Sequence, residues 1–142
     1  MLQDLHNNVK ISRAISPVAA AQTDNTAVVS TIVDTANFAS CEFALALGSI
    51  ADVDATFTIL VEDGAASDLS DNAAVADDHL LGTESPAFLF SDDNKTYKIG
   101  YIGPKRYVRV TITPAANSGN FCHSALWIQA HPRNGPQSTQ IV

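Results

Sequence analysis

Residues 54–62, "DATFTILVE", give the clearest alternation in the chain: Ala55, Phe57, Ile59 and Val61 on one side, Thr56, Thr58 and Glu62 on the other. Successive side chains of a strand point to opposite faces, so a strict period of two predicts an extended segment with one face buried. Seven further runs carry the same signature. "NVKISRAI" (8–15) sets Val9, Ile11, Arg13 and Ile15 against Lys10, Ser12 and Ala14. "AVVSTIVDT" (27–35) is β-branched, and "CEFALALG" (41–48) places Cys41, Phe43, Leu45 and Leu47 opposite Glu42. "AFLF" (87–90), "TYKIGYI" (96–102), "RYVRVTIT" (106–113) and "FCHSALWIQA" (121–130) complete the set. In the last run Cys122, Leu126 and Ile128 are assigned to the core, and Phe121, His123 and Trp127 to the opposite face.

Turn chemistry separates these runs. Ser16-Pro17 and His131-Pro132 stop strands, because proline has no N–H and biases its predecessor. Asp63-Gly64, "SDDN" (91–94) and "NSGN" (117–120) are turn clusters. Gly103 and Pro104 fall between two strand runs and predict the turn of a 96–113 hairpin, with Gly103 a candidate for a positive φ. Gly100, in mid-strand, marks a bulge or the close approach of another chain. Only residues 65–82 lose β-branching; there Ser67 or Asp68 would cap a short helix or turn.

About eight short strands between turns predict an all-β fold: a single β-sandwich or barrel-like domain with extended termini. Residues 1–142 form one domain, with an N-terminal arm at 1–8 and a C-terminal arm at 132–142 expected to reach neighbouring chains. The expected core is Phe43, Leu45, Phe57, Ile59, Val61, Val108, Val110, Ile112, Leu126 and Ile128.

The residues offer little chemistry of a catalytic kind. No GxSxG elbow, HExxH helix, P-loop or dinucleotide glycine fingerprint occurs. The four histidines stand in unrelated contexts, and the aspartates at 63, 68, 71, 77 and 78 do not follow calcium-loop spacing. The expectation is a non-enzyme with no cofactor and no metal. Cys41 and Cys122 both fall on the phase assigned to the core; buried free thiols are the reading for a reducing cytoplasm, a disulfide between packed strands the alternative. No apolar run approaches the roughly 20 residues of a membrane helix, and the first residues lack a secretory signal pattern, so no membrane association is expected.

Charge gives the sharpest functional clue. All 15 acids lie in residues 1–93 with only Lys10 and Arg13, whereas residues 94–142 hold the other six cations and no acid. Blocks of opposite sign predict complementarity, either within the fold or between neighbouring copies. A nucleic-acid patch is disfavoured, because the formal net charge of −7 repels polyphosphates. Protein–protein contact suits the tyrosines and arginines better. The candidate interface residues are Lys98, Lys105, Arg106, Tyr107, Arg109, His123, Trp127 and Arg133. The other reading pairs these cations with acids of the same chain and tucks Trp127 under a loop.

"NVKISRAISP", "FALALGSIADVDATFTILVEDG", "LLGTE", "DDNKTYKIGYIGPKRYVRV" and the closing "HPR" resemble a family of small proteins that tailed bacteriophages and related prophages carry among their head genes. The resemblance covers most of the chain, and its motifs are structural. It implies a virion structural protein made in the host cytoplasm. Within that class it implies a capsid decoration (cement) protein that self-associates as a homotrimer and binds the major capsid protein. A head–tail connector, adaptor or tail terminator is the alternative.

Overall fold

Each of those eight runs contributes strand structure in the computed structural model, which describes residues 4–17, 21–84 and 88–138. A five-stranded sheet has the order β1 (Val9–Ile15), β11 (Phe121–Pro132), β4 (Phe38–Ile50), β9 (Thr96–Tyr101), β7 (Leu80–Leu81). A six-stranded sheet runs β2 (Val28–Val29), β10 (Tyr107–Ala115), β5 (Thr56–Gly64), β6 (Ala73–Ala74); β3 (Val33–Asp34) joins it on β10 and β8 (Phe88–Leu89) on β5. Every strand pairing is antiparallel. The two sheets pack face to face as a sandwich and do not close into a barrel.

The core lies between them. Phe43, Leu45 and Ile99 from one sheet meet Phe57, Val61, Val108, Val110 and Ile112 from the other, each at most 2% exposed. Phe57 stacks on Phe88 at 4.8 Å and leans on Phe121 at 4.3 Å between ring centroids. Eight of the ten residues assigned to the core from sequence are buried; Leu126 and Ile128 are not.

Those two failed because β11 has the opposite phase. Phe121, His123, Ala125, Trp127 and Gln129 point inward, while Leu126 is 45% exposed. Both faces of this strand carry apolar residues, so hydropathy alone does not choose. The aromatics bury more surface than Leu126 and Ile128, and they take the core. The polar members of the inward set are accommodated: the Gln129 side-chain amide donates to the Asp34 carbonyl at 2.8 Å.

Strand β1 departs for another reason. A bulge between Arg13 and Ile15 inserts an extra residue opposite Leu126 and Ala125. Ala14 and Ile15 are both buried as a result, and Ile11 and Arg13 are turned out to solvent.

The expected 96–113 hairpin is absent. β9 pairs with β4 and β7, β10 with β2, β3 and β5, so Gly103-Pro104 carries the chain from one sheet to the other. Residues 65–82 contain no α-helix: 65–72 form a turn, in which the Asp71 carboxylate accepts from the amides of Ala65 and Ala66 and Asp68 from that of Ser70, and β6, a single 3-10 turn at Asp77–His79 and β7 follow. The described parts of the two arms lie against each other, with the Gln137 amide donating to the Asn7 carbonyl at 2.9 Å. Residues 1–3 and 139–142 of those arms fall outside the described residues.

Candidate functional site

The crossover between the sheets is organised by one tyrosine. Tyr101 is buried, and its hydroxyl donates to the Asp63 carboxylate at 2.7 Å. The same oxygen accepts from the Lys105 amide at 2.9 Å and lies 3.1 Å from the Lys105 carbonyl. Burial, then the carboxylate, pushes the phenol well above its usual range. A Cβ on Gly103 would sit 2.6 Å from the Tyr101 ring, so the glycine is required by close approach. Its φ is not positive, contrary to the sequence expectation. Pro104 follows it in the same turn. At Gly100 a Cβ would meet the Glu42 carboxylate at 2.9 Å and Leu81 at 3.0 Å, and the close neighbour is therefore this chain's own β7.

The cations that suggested an interface are mostly neutralised at home. Arg106 holds Asp34 with two bonds of 2.8 and 2.7 Å, which keeps the Asp34 carboxyl below its ordinary range. Its guanidinium also lies over the Tyr107 ring, 5.1 Å from the centroid. Arg109 stands directly opposite Glu62 across β10 and β5 and bonds it at 2.8 Å. Lys105 lies near enough to Asp71 to help hold its carboxyl down, after the two amide bonds from Ala65 and Ala66. Arg133 is exposed, with its amide on the Asn37 carbonyl.

Trp127 and His123 do not belong to an outward surface. Trp127 is 2% exposed, its indole N–H donates to the Thr31 carbonyl at 3.0 Å, and its ring meets Phe43 edge-on at 5.3 Å. His123 is 8% exposed, stacks on Phe121 at 4.2 Å and leaves Nδ1 without a partner. Burial pushes its pKa below the ordinary value. Both side chains follow the inward phase of β11, as the alternative reading of the cations requires for Trp127. Cys122, on the outward phase, is half-buried; Cys41 is buried, its thiol pushed up to about 12, and both are free thiols.

Exposed apolar residues also occur on the six-stranded sheet, at Val29 and Leu60, but on the outer face of the five-stranded sheet they stand beside cations. Across four strands, in register, stand Arg13, Leu126, Ala44 and Lys98. The adjoining row is Ile11, Ile128, Glu42, Gly100 and Leu81. Ile11, Leu81 and Leu126 are 52%, 56% and 45% exposed. A shallow groove of about 430 Å³ runs over Ala44, Ala46, Ser124 and Leu126 beside Lys98. Neither Arg13 nor Lys98 forms a side-chain hydrogen bond or ion pair with the described residues. Lys98 stands among the residues expected at an interface, whereas Arg13 is grouped in the sequence with Val9, Ile11 and Ile15; nothing in the sequence marks the bulge that separates Arg13 from the buried Ile15.

Among the described residues no group of three or more His, Cys, Asp or Glu side chains could hold a metal ion, and no helix is long and apolar enough to cross a membrane.

No protein-family model matches the chain, and no curated protein matches it. Among solved structures, the VP2 subviral particle of infectious bursal disease virus is similar over 90% of this chain and 33% of its own, at 12% identity and a TM-score of 0.44. The CBM22-1–GH10 modules of the Clostridium thermocellum endo-1,4-beta-D-xylanase 10B, complexed with xylohexaose, are similar over 91% of this chain and 27% of their own, at 9% identity and a TM-score of 0.42. The chain thus spans about a third or less of each of these longer chains.

Proposed function

We propose that this protein is a virion structural protein of a tailed bacteriophage, a decoration (cement) protein that binds the outer surface of the major capsid protein shell and stabilises it. The observation that carries the reading is the outer face of the five-stranded sheet, where Ile11, Leu81 and Leu126 stand exposed beside two cations with no side-chain partner among the described residues. Exposed apolar side chains interleaved with charges in this way suit docking on another protein. The resemblance of the sequence to phage head proteins supplies the partner. On this reading the protein acts by binding rather than catalysis, takes no cofactor, contacts neither nucleic acid nor membrane, is made in the host cytoplasm and works on the capsid as a homotrimer.

Two measurements test it. Densitometry of denatured, purified virions should show a copy number comparable with that of the major capsid protein; a single ring's worth would favour the connector or terminator reading. Shells assembled without the protein should bind it when it is added back and then resist heat better. Shells that neither bind it nor gain stability would overturn the proposal.

A further inference from the structure

The groove on the five-stranded sheet has a defined pattern. Along the Arg13–Leu126–Ala44–Lys98 row, cation, apolar, apolar and cation follow one another over about 14 Å, the span of four strands. An occupant that satisfies it must offer an apolar side chain next to carboxylates. The chain itself carries such a segment. Asp52, Val53 and Asp54 form the turn before β5. Val53 is 66% exposed at its tip. The turn is firmly held: Asp52 accepts from the Asp54 amide at 3.0 Å and from the Ser118 amide and hydroxyl at 2.8 and 2.7 Å. Asp54 is exposed, and its carboxylate makes no bond to the described residues.

We propose that copies of this chain meet end to face, the Asp52–Val53–Asp54 turn of one seated in the Ala44–Leu126 groove of the next. Val53 covers Leu126 and the small residues Ala44 and Ala46. Asp54 meets Lys98, which, like Arg13 on the same face, has no side-chain partner among the described residues. The rigid turn loses little freedom on docking, which favours association. The turn lies at an end of the sandwich and the groove on a face, so the contact is heterologous and generates a closed ring or an open chain of copies. This inference rests on the self-association in the reading above and identifies the surfaces that would carry it.

The test uses the full chain in isolation. Sedimentation equilibrium from 10 μM to 1 mM should show concentration-dependent association in about 50 mM salt that weakens in about 500 mM, where charges are screened within a few ångströms. Lys98→Glu or Asp54→Lys alone should each raise Kd about tenfold or more, and the two together should recover most of that loss. Val53→Ser should weaken association with no change in far-ultraviolet circular dichroism. A protein monomeric throughout, or a double variant no better than either single one, would overturn the proposal. If association persists but ignores these substitutions, the surfaces are wrong while self-association stands. Shell binding by the same variants reports on the capsid reading separately.

Discussion

Tyr101→Phe deletes one oxygen from the crossover and leaves the buried ring in place. That oxygen serves three groups: the Asp63 carboxylate at 2.7 Å, the Lys105 amide at 2.9 Å and the Lys105 carbonyl at 3.1 Å. Asp63 is 8% exposed, so water replaces the lost donor poorly there. Leaving such a group without a partner costs about 1–3 kcal/mol, and Lys105, in an exposed turn, adds a contribution at the low end. The expected loss is therefore about 2–3 kcal/mol. With a urea m-value of about 2 kcal/mol per M, the unfolding midpoint falls by roughly 1 M. Trp127, the one tryptophan of the chain and 2% exposed, reports unfolding by fluorescence. A double-mutant cycle identifies the cause: Asp63→Ala should cost less in the Tyr101→Phe background than in the wild type, because the pair is already broken. A Tyr101→Phe protein within about 0.5 kcal/mol of wild type, with m unchanged, would refute the assignment of this hydroxyl as the tie between the sheets.

Phe57→Ala, which empties a fully buried position between Phe88 and Phe121, should cost about 3–5 kcal/mol in the same urea titration. His123 sets a pH dependence. Its folded pKa lies below the unfolded value, so the unfolded chain binds the proton more readily and protonation favours unfolding. Its contribution should be complete above about pH 6.5 and shrink as pH falls toward the folded pKa; His123→Gln should flatten that part of the stability–pH curve. Arg109→Ala strips a partly buried Glu62 of its partner and should lower the melting temperature measurably, whereas Arg106→Ala, at a pair about half exposed on both sides, should leave it nearly unchanged. Equal effects of the two arginines in parallel melts would contradict the burial difference between the pairs.

The strands that sequence located best are those whose second face is polar. On β5 and β10 threonines, Glu62 and Arg109 alternate with Phe57, Ile59, Val61, Val108, Val110 and Ile112, and only one phase can be buried. On β11 both phases are apolar and the buried one includes His123 and Gln129, so the pattern points the wrong way. Bulges are equally silent. The irregularity at Arg13–Ile15 has no glycine to announce it, yet it reverses the phase of half a strand. Turn chemistry marked Gly103-Pro104 as a place where the chain changes direction. Which sheet receives the next strand depends on long-range pairing that a local motif does not encode. "AVVSTIVDT" breaks into β2 and β3 because Ser30 substitutes its hydroxyl for the ladder: Val110 donates to Ser30 Oγ, and the Ser30 amide donates back to the Val110 carbonyl, both at 2.9 Å. The candidate face was half legible for the same reasons. Lys98 could be read from its strand, but Leu126, Ile128, Ile11 and Arg13 could not.

The segregation of charge along the chain is resolved by topology. β10 comes from the basic half and lies among β2, β3 and β5 of the acidic half. Arg109 is thereby set opposite Glu62, and Arg106 comes within reach of Asp34. Lys95, at the far end of the sandwich, is paired with Asp92. Each of these pairs is satisfied before any partner arrives, so Lys95, Arg106 and Arg109 have little attraction left to offer. Arg13 and Lys98 differ because of where their strands lie. β1 is an edge strand and β9 is flanked by β4 and β7, and on this face the nearest acid in register is Glu42 alone, one row away. In a chain with nearly twice as many acids as bases, two cations unpaired among the described residues on one largely apolar face are what the proposed contact with an acidic turn would use.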